Sequence, residues 1–84
     1  LQNKITFLVI PYNYQIRDEN CTQTDYAEEI ISDKLTEYKF NFISFKDIFC
    51  SSSKKGEIFL KYDPSHLSEY GHKIIANTLI REIN

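Results

Sequence analysis

The residues Lys4-Ile5-Thr6-Phe7-Leu8-Val9-Ile10 form an unbroken run of β-branched, aromatic and aliphatic side chains that stops at Pro11. A strand with one wet face alternates apolar and polar residues, because successive side chains point to opposite faces. This run does not alternate. It predicts a strand buried on both faces, the pattern of a parallel sheet covered by helices. Parallel neighbours need a long crossover connection, usually a helix, so this one feature constrains the order of the elements after it.

The next segments fit that constraint. Pro11 to Thr22 is polar and aromatic and reads as a loop. Thr22 predicts a helix start, with Asp25 three positions later in a shortened capping box. Tyr26, Ala27, Ile30, Ile31, Leu35 and Tyr38 recur at helical spacing, while Glu28, Glu29, Asp33 and Glu37 fill the opposite face. This predicts an amphipathic helix of about four turns. Phe40 to Phe45 reads as a second strand, Lys46 to Cys50 as a single helical turn, and Ser51 to Gly56 as a flexible surface loop. Ile58-Phe59-Leu60 is a brief extended piece. Ser68 caps the last helix, which has Glu69 in its first turn and Tyr70, Ile74, Ile75, Thr78, Leu79 and Ile83 on its apolar face.

A strand–helix–strand order of this length implies a right-handed crossover and a parallel pair. Two strands make a poor sheet alone, so the unit is expected to belong to a larger α/β sheet. The sequence has no Met and opens almost directly into a strand, which also reads as a piece of a longer domain. The exposed edge of the first strand is expected to drive self-association.

Composition removes several function classes. Net charge is −2, from 10 basic and 12 acidic residues mixed along 84 positions, which leaves no basic footprint for nucleic acid and no polybasic membrane patch. No apolar run approaches the length of a transmembrane segment, and nothing resembles a signal peptide. Cys21 and Cys50 do not form a Cys-x-x-Cys pair, which excludes a zinc ribbon or thioredoxin motif. Two readings remain for them: free thiols, or one disulfide, which would favour an exported or periplasmic location. If the two strands are parallel, both Cys lie at the C-terminal edge of the sheet, where α/β folds bind ligands and where Asp63 and His66 should also sit.

The chemistry concentrates in Tyr62-Asp63-Pro64-Ser65-His66-Leu67-Ser68-Glu69-Tyr70-Gly71-His72. Pro64 pushes Asp63 into an extended conformation. A turn through Pro64-Ser65 can then bring the carboxylate to one ring nitrogen of His66, leaving the other to accept a proton. The helix N-terminus disfavours an imidazolium, and a carboxylate at Asp63 stabilises it; a base activating a nucleophile needs this balance. Asp-x-x-His alone is a weak signal, arising by chance in roughly one chain in ten of this length, and its plain reading is a turn-capping Asp beside a surface His. His66 and His72 are six apart across a loop–helix junction, a poor spacing for metal ligands, and no cofactor is expected. Tyr12, Asn13 and Tyr14 follow the first strand and are equally readable as substrate contacts or as ordinary loop aromatics.

Asp63-Pro64-Ser65-His66-Leu67-Ser68, followed by Gly71-His72 and Ala76, resembles the last sequence block of the SGNH (GDSL-type) hydrolases, in which Asp-x-x-His opens the C-terminal helix. The resemblance is specific over residues 62–76 and loose over the rest. It implies a three-layer flavodoxin-like α/β fold, with residues 1–84 as the C-terminal part of one domain. It also implies that Asp63 and His66 are the acid and base of a Ser-His-Asp triad, and that Gly71 permits close packing of the last helix. No Gly-Asp-Ser occurs, and the only glycines are Gly56 and Gly71. The nucleophile and oxyanion hole are therefore expected in a missing N-terminal part of the same domain. The implied activity is ester hydrolysis through an acyl-enzyme, on an ester of a carbohydrate or lipid. The alternative is a non-catalytic α/β interaction module or a degenerate hydrolase remnant.

Overall fold

The structure is a computed structural model that describes residues 5–83, with side chains through residue 82. Lys4, at the start of the expected first strand, and the Ile83 side chain, on the expected apolar face of the last helix, lie outside the described residues. The order is β1 (Thr6–Val9), a 3-10 turn (Asn13–Gln15), α1 (Tyr26–Glu37), β2 (Asn41–Ser44), α2 (Lys46–Cys50), a second 3-10 turn (Lys55–Glu57) and α3 (Glu69–Ile83). The fold is a small mixed α/β arrangement around a two-stranded sheet. β1 and β2 are parallel, in the register Thr6↔Asn41, Phe7↔Phe42, Leu8↔Ile43 and Val9↔Ser44. The Phe45 amide donates to Val9 O at 2.9 Å and carries the pairing one step beyond the strands.

The core lies at the C-terminal end of the sheet. Ile16, Phe45, Phe49, Ile58 and Phe59 are buried together, and Ile10, Ile43, Leu67, Tyr70, Ile74 and Ile75 pack against them. Phe49 stacks edge-on to Phe59, with ring centroids 6.1 Å apart, a favoured aromatic geometry. Cys21 and Cys50 form a disulfide with Cα atoms 6.3 Å apart, so the reading as free thiols is replaced. Both Cys therefore lie on one side of the sheet, as parallel strands require. Cys21 has φ 52°, a left-handed conformation that costs a non-glycine residue about 1 kcal/mol. The bridge and a Cys21 N–H bond to Asp18 O at 3.2 Å hold it there.

Four expectations are corrected. α1 starts at Tyr26, and its N-cap is Asp25, whose carboxylate accepts from the Glu28 amide at 3.0 Å. Thr22 is unavailable for capping because its amide and hydroxyl both donate to the Asp18 carboxylate, at 3.0 and 2.8 Å. The helix is 12 residues long, shorter than about four turns. It ends in a Schellman motif, with Phe40 N–H bonded to Leu35 O, Lys39 N–H to Thr36 O, and Lys39 at φ 62° where glycine is usual.

The second correction concerns β1, which is not buried on both faces: Val9 is, but Ile5 is 65% exposed, Phe7 41% and Leu8 37%. Its sequence is that of a covered strand, and no described element supplies the cover. Third, the Pro11–Thr22 loop is not merely polar surface. It buries Pro11, Gln15 and Ile16, because the Gln15 side-chain oxygen accepts from the Tyr12 amide at 2.7 Å and its nitrogen donates to Glu28 at 3.0 Å. Fourth, the Ser51–Gly56 loop is tied down. Ser52 shares a hydrogen bond with the Tyr70 hydroxyl at 2.7 Å, and Lys55 Nζ donates to Asp18 O at 2.6 Å.

Candidate active site

The segment from Ile58 to Ser68 builds the site. Ile58 and Phe59 are buried, which anchors one side. The chain then loops out and returns antiparallel to itself: Phe59 bridges Leu67, Leu60 N–H donates to His66 O at 2.9 Å, and Ser68 N–H donates to Ile58 O at 2.8 Å. Residues 61–65 are thus the tip of a small hairpin, and His66 stands on its returning strand. The sequence offers no alternating pattern over these few residues, so this pairing was not legible in it.

Within the tip, Pro64 and Ser65 occupy the centre of a turn closed by His66 N–H donating to Asp63 O at 3.0 Å. The turn brings the expected pair together. Asp63 Oδ2 lies 2.8 Å from His66 Nδ1. Ser65 Oγ donates to Asp63 Oδ1 at 2.7 Å and lies 3.3 Å from His66 Nδ1. A carboxylate only accepts, so the proton of a neutral imidazole sits on Nδ1 and Nε2 carries the lone pair. Ser65 is thus part of the site as a positioning group for the carboxylate. Its hydroxyl first, and His66 second, hold the Asp63 carboxyl below its ordinary 3.8.

The last helix locks this loop from the other side. Ser68 Oγ accepts from Gly71 N–H at 3.1 Å and donates to Ile58 O at 2.9 Å, so the expected cap is present and also stitches α3 to the anchored strand. Gly71 is buried, and a Cβ there would collide with the Ile58 carbonyl oxygen and stand 3.1 Å from Leu67 Cδ2. Any side chain at 71 would push α3 off the hairpin that carries His66.

The pair is open to solvent, with the His66 side chain 72% exposed and Asp63 53%. An ion pair this exposed contributes little to stability. A groove of about 380 Å³ adjoins it, lined by Ile10, Pro11, Tyr12, Phe59 and Leu67 together with His66 and His72. The loop after β1 and the hairpin therefore meet at the C-terminal edge of the sheet, and Tyr12, whose ring stacks on Tyr14 with centroids 5.9 Å apart, lines the same groove as His66. Tyr14 is directed elsewhere: its hydroxyl donates to Asp25 Oδ2 at 2.8 Å. Among the described residues no group of three or more His, Cys, Asp or Glu could hold a metal ion, and no helix is long and apolar enough to cross a membrane. No protein-family model, curated protein or solved structure matches the chain.

Proposed function

We propose that Asp63 and His66 are the acid and base of a Ser-His-Asp triad, and that the chain is the C-terminal part of an SGNH-type ester hydrolase with a flavodoxin-like domain. The observation that carries this reading is the 2.8 Å contact of Asp63 with Nδ1 alone, which leaves Nε2 free to work. In an acyl-transfer cycle His66 Nε2 takes the proton of a serine hydroxyl as it attacks the ester carbonyl, then returns it to the departing alcohol. Asp63 holds the productive tautomer and stabilises the transient imidazolium. Ser65 and Ser68 have their hydroxyls committed elsewhere, and no Gly-Asp-Ser occurs, so this reading assigns the serine and the oxyanion donors to a segment outside these 84 residues. That segment would also cover the exposed face of β1. The substrate is an ester of a carbohydrate or lipid, and the Cys21–Cys50 bridge supports an exported or periplasmic location.

A second reading, a non-catalytic interaction module, draws on the exposure of Ile5, Phe7 and Leu8, which would serve a protein partner equally well. One experiment separates the two. The polypeptide expressed from the whole reading frame is assayed for hydrolysis of an activated acetyl ester and for labelling by a fluorophosphonate. The hydrolase reading expects both, with labelling on a serine outside residues 1–84. Absence of both from a folded product selects the interaction module.

A further inference from the structure

We infer that the groove beside His66 is the site for an apolar alkyl or aryl group of the substrate, next to the scissile bond, and that it discriminates against a sugar ring at that position. The inference rests on the hydrolase reading only for what the bound group is attached to; the groove itself is argued from its lining. Its deep side is Pro11 and Phe59, both buried, with Ile10 and Leu67 half-buried beside them, and exposed Tyr12 nearer solvent. At about 380 Å³ it falls in the size range of small-molecule sites. A sugar carries a hydroxyl on almost every carbon, and each needs a partner once removed from water. The groove offers few polar side-chain groups, the Tyr12 hydroxyl at its exposed rim, His66 and His72, and the Ser65 hydroxyl is already given to Asp63. An apolar group asks for none, and gains about 25 cal/mol for each Å² it covers. On the hydrolase reading the imidazole on the groove wall takes the proton of the attacking serine and gives it to the departing alcohol, so an apolar chain lying there places its ester linkage at the base.

The test is a titration of the 84-residue chain with benzyl alcohol, and in parallel with methyl α-glucoside, followed by heteronuclear NMR. Saturable shifts are expected at Ile10, Tyr12, Leu67 and His66 with benzyl alcohol, and the glucoside should bind at least tenfold more weakly. Leu67→Ser should weaken benzyl alcohol roughly tenfold, the equivalent of one apolar contact group. Leu67 also packs on the core, so Tyr12→Ser is the paired variant. Tyr12 is 59% exposed, so the spectrum should stay dispersed while affinity falls about threefold. Shifts centred on Phe7 and Leu8 instead, equal binding of the glucoside, or full affinity in both variants would overturn the assignment. Failure is distinguishable from failure of the hydrolase reading. Groove binding together with hydrolysis that survives His66→Ala in the whole polypeptide removes the catalytic reading and leaves the groove. Hydrolysis that depends on His66 without groove binding removes the groove alone.

Discussion

The two sides of this small molecule are built to different standards. On the side of α2, the hairpin and the start of α3, apolar side chains are buried and segments are tied together: Phe45, Phe49 and Ile58 are fully enclosed, and Ser52, Lys55 and Ser68 each tie one segment to another. On the side of β1 and α1 the same kinds of residue are left in water. α1 buries no residue, with Ile30 43% and Ile31 52% exposed. Leu8, Gln15, Glu28 and Ile31 line one concavity; Glu28 Oε2, like Asp18 Oδ1 on the Lys55 side, is buried without a hydrogen-bond partner among the described residues. A buried acceptor left unpaired is costly. Apolar strand and apolar helix face together describe a surface made to be covered, whereas the loop that carries Asp63 and His66 is held by a core of its own. The Asp63–His66 pair is therefore held by contacts within the described residues.

Substitutions should separate the two sides by several kcal/mol. Phe49→Ala, on the packed side, should cost about 3–5 kcal/mol in denaturant unfolding. Replacing both Cys21 and Cys50 by Ser opens a loop with a sequence separation of 29 and should cost about 3–4 kcal/mol on the chain-entropy account. Gly71→Ala should cost at least about 2 kcal/mol, since the new Cβ meets backbone rather than a flexible side chain. Ile31→Ser, on the exposed side, should change the stability of the monomer by no more than about 0.5 kcal/mol, and Phe7→Ser, which also loses the edge-on contact with Phe40, by about 1 kcal/mol, while both reduce self-association in light scattering. Equal costs on both sides would dissolve the distinction.

The smallest effect expected is in acid. Asp18, Asp25 and Asp63 all have carboxyls held below the usual value, by the Thr22 amide, the Glu28 amide and the Ser65 hydroxyl respectively. A depressed carboxyl binds fewer protons in the folded than in the unfolded chain, so its stabilisation is present above the unfolded value near 3.8 and is lost as pH falls through the folded one. Carboxyl-detected NMR should find Asp63 titrating below 3.8, and Ser65→Ala should raise its midpoint more than His66→Gln does. The reverse order would mean that the imidazole, not the hydroxyl, holds the carboxylate.

Much of this was legible because it is written in local rules. The two strands, α2, the Ser68 cap and the Asp63–His66 turn follow from apolar runs, a cap residue and a proline. What the sequence concealed was decided by competition between neighbours. Thr22 and Asp25 are both good caps, and Asp18, four residues before Thr22, settled which one is used. Gln15 reads as loop surface until the Tyr12 amide and Glu28 are seen to take its side chain. The apolar run of β1 led to an expectation of burial on both faces that the described residues do not meet, because none of them covers Ile5, Phe7 and Leu8.

His66 Nε2 is proposed to act as the general base for a serine that attacks an ester, and the direct measurement is the rate of acetyl-ester hydrolysis by the whole polypeptide with and without His66→Ala, with folding checked by circular dichroism. Loss of a triad base costs several orders of magnitude in kcat, and Asp63→Asn should be severe as well. The account predicts a fall of at least about 1,000-fold for His66→Ala. A folded His66→Ala variant that hydrolyses the ester within about threefold of the unaltered protein, less than the factor of ten that about 1.4 kcal/mol of transition-state stabilisation represents, would contradict it.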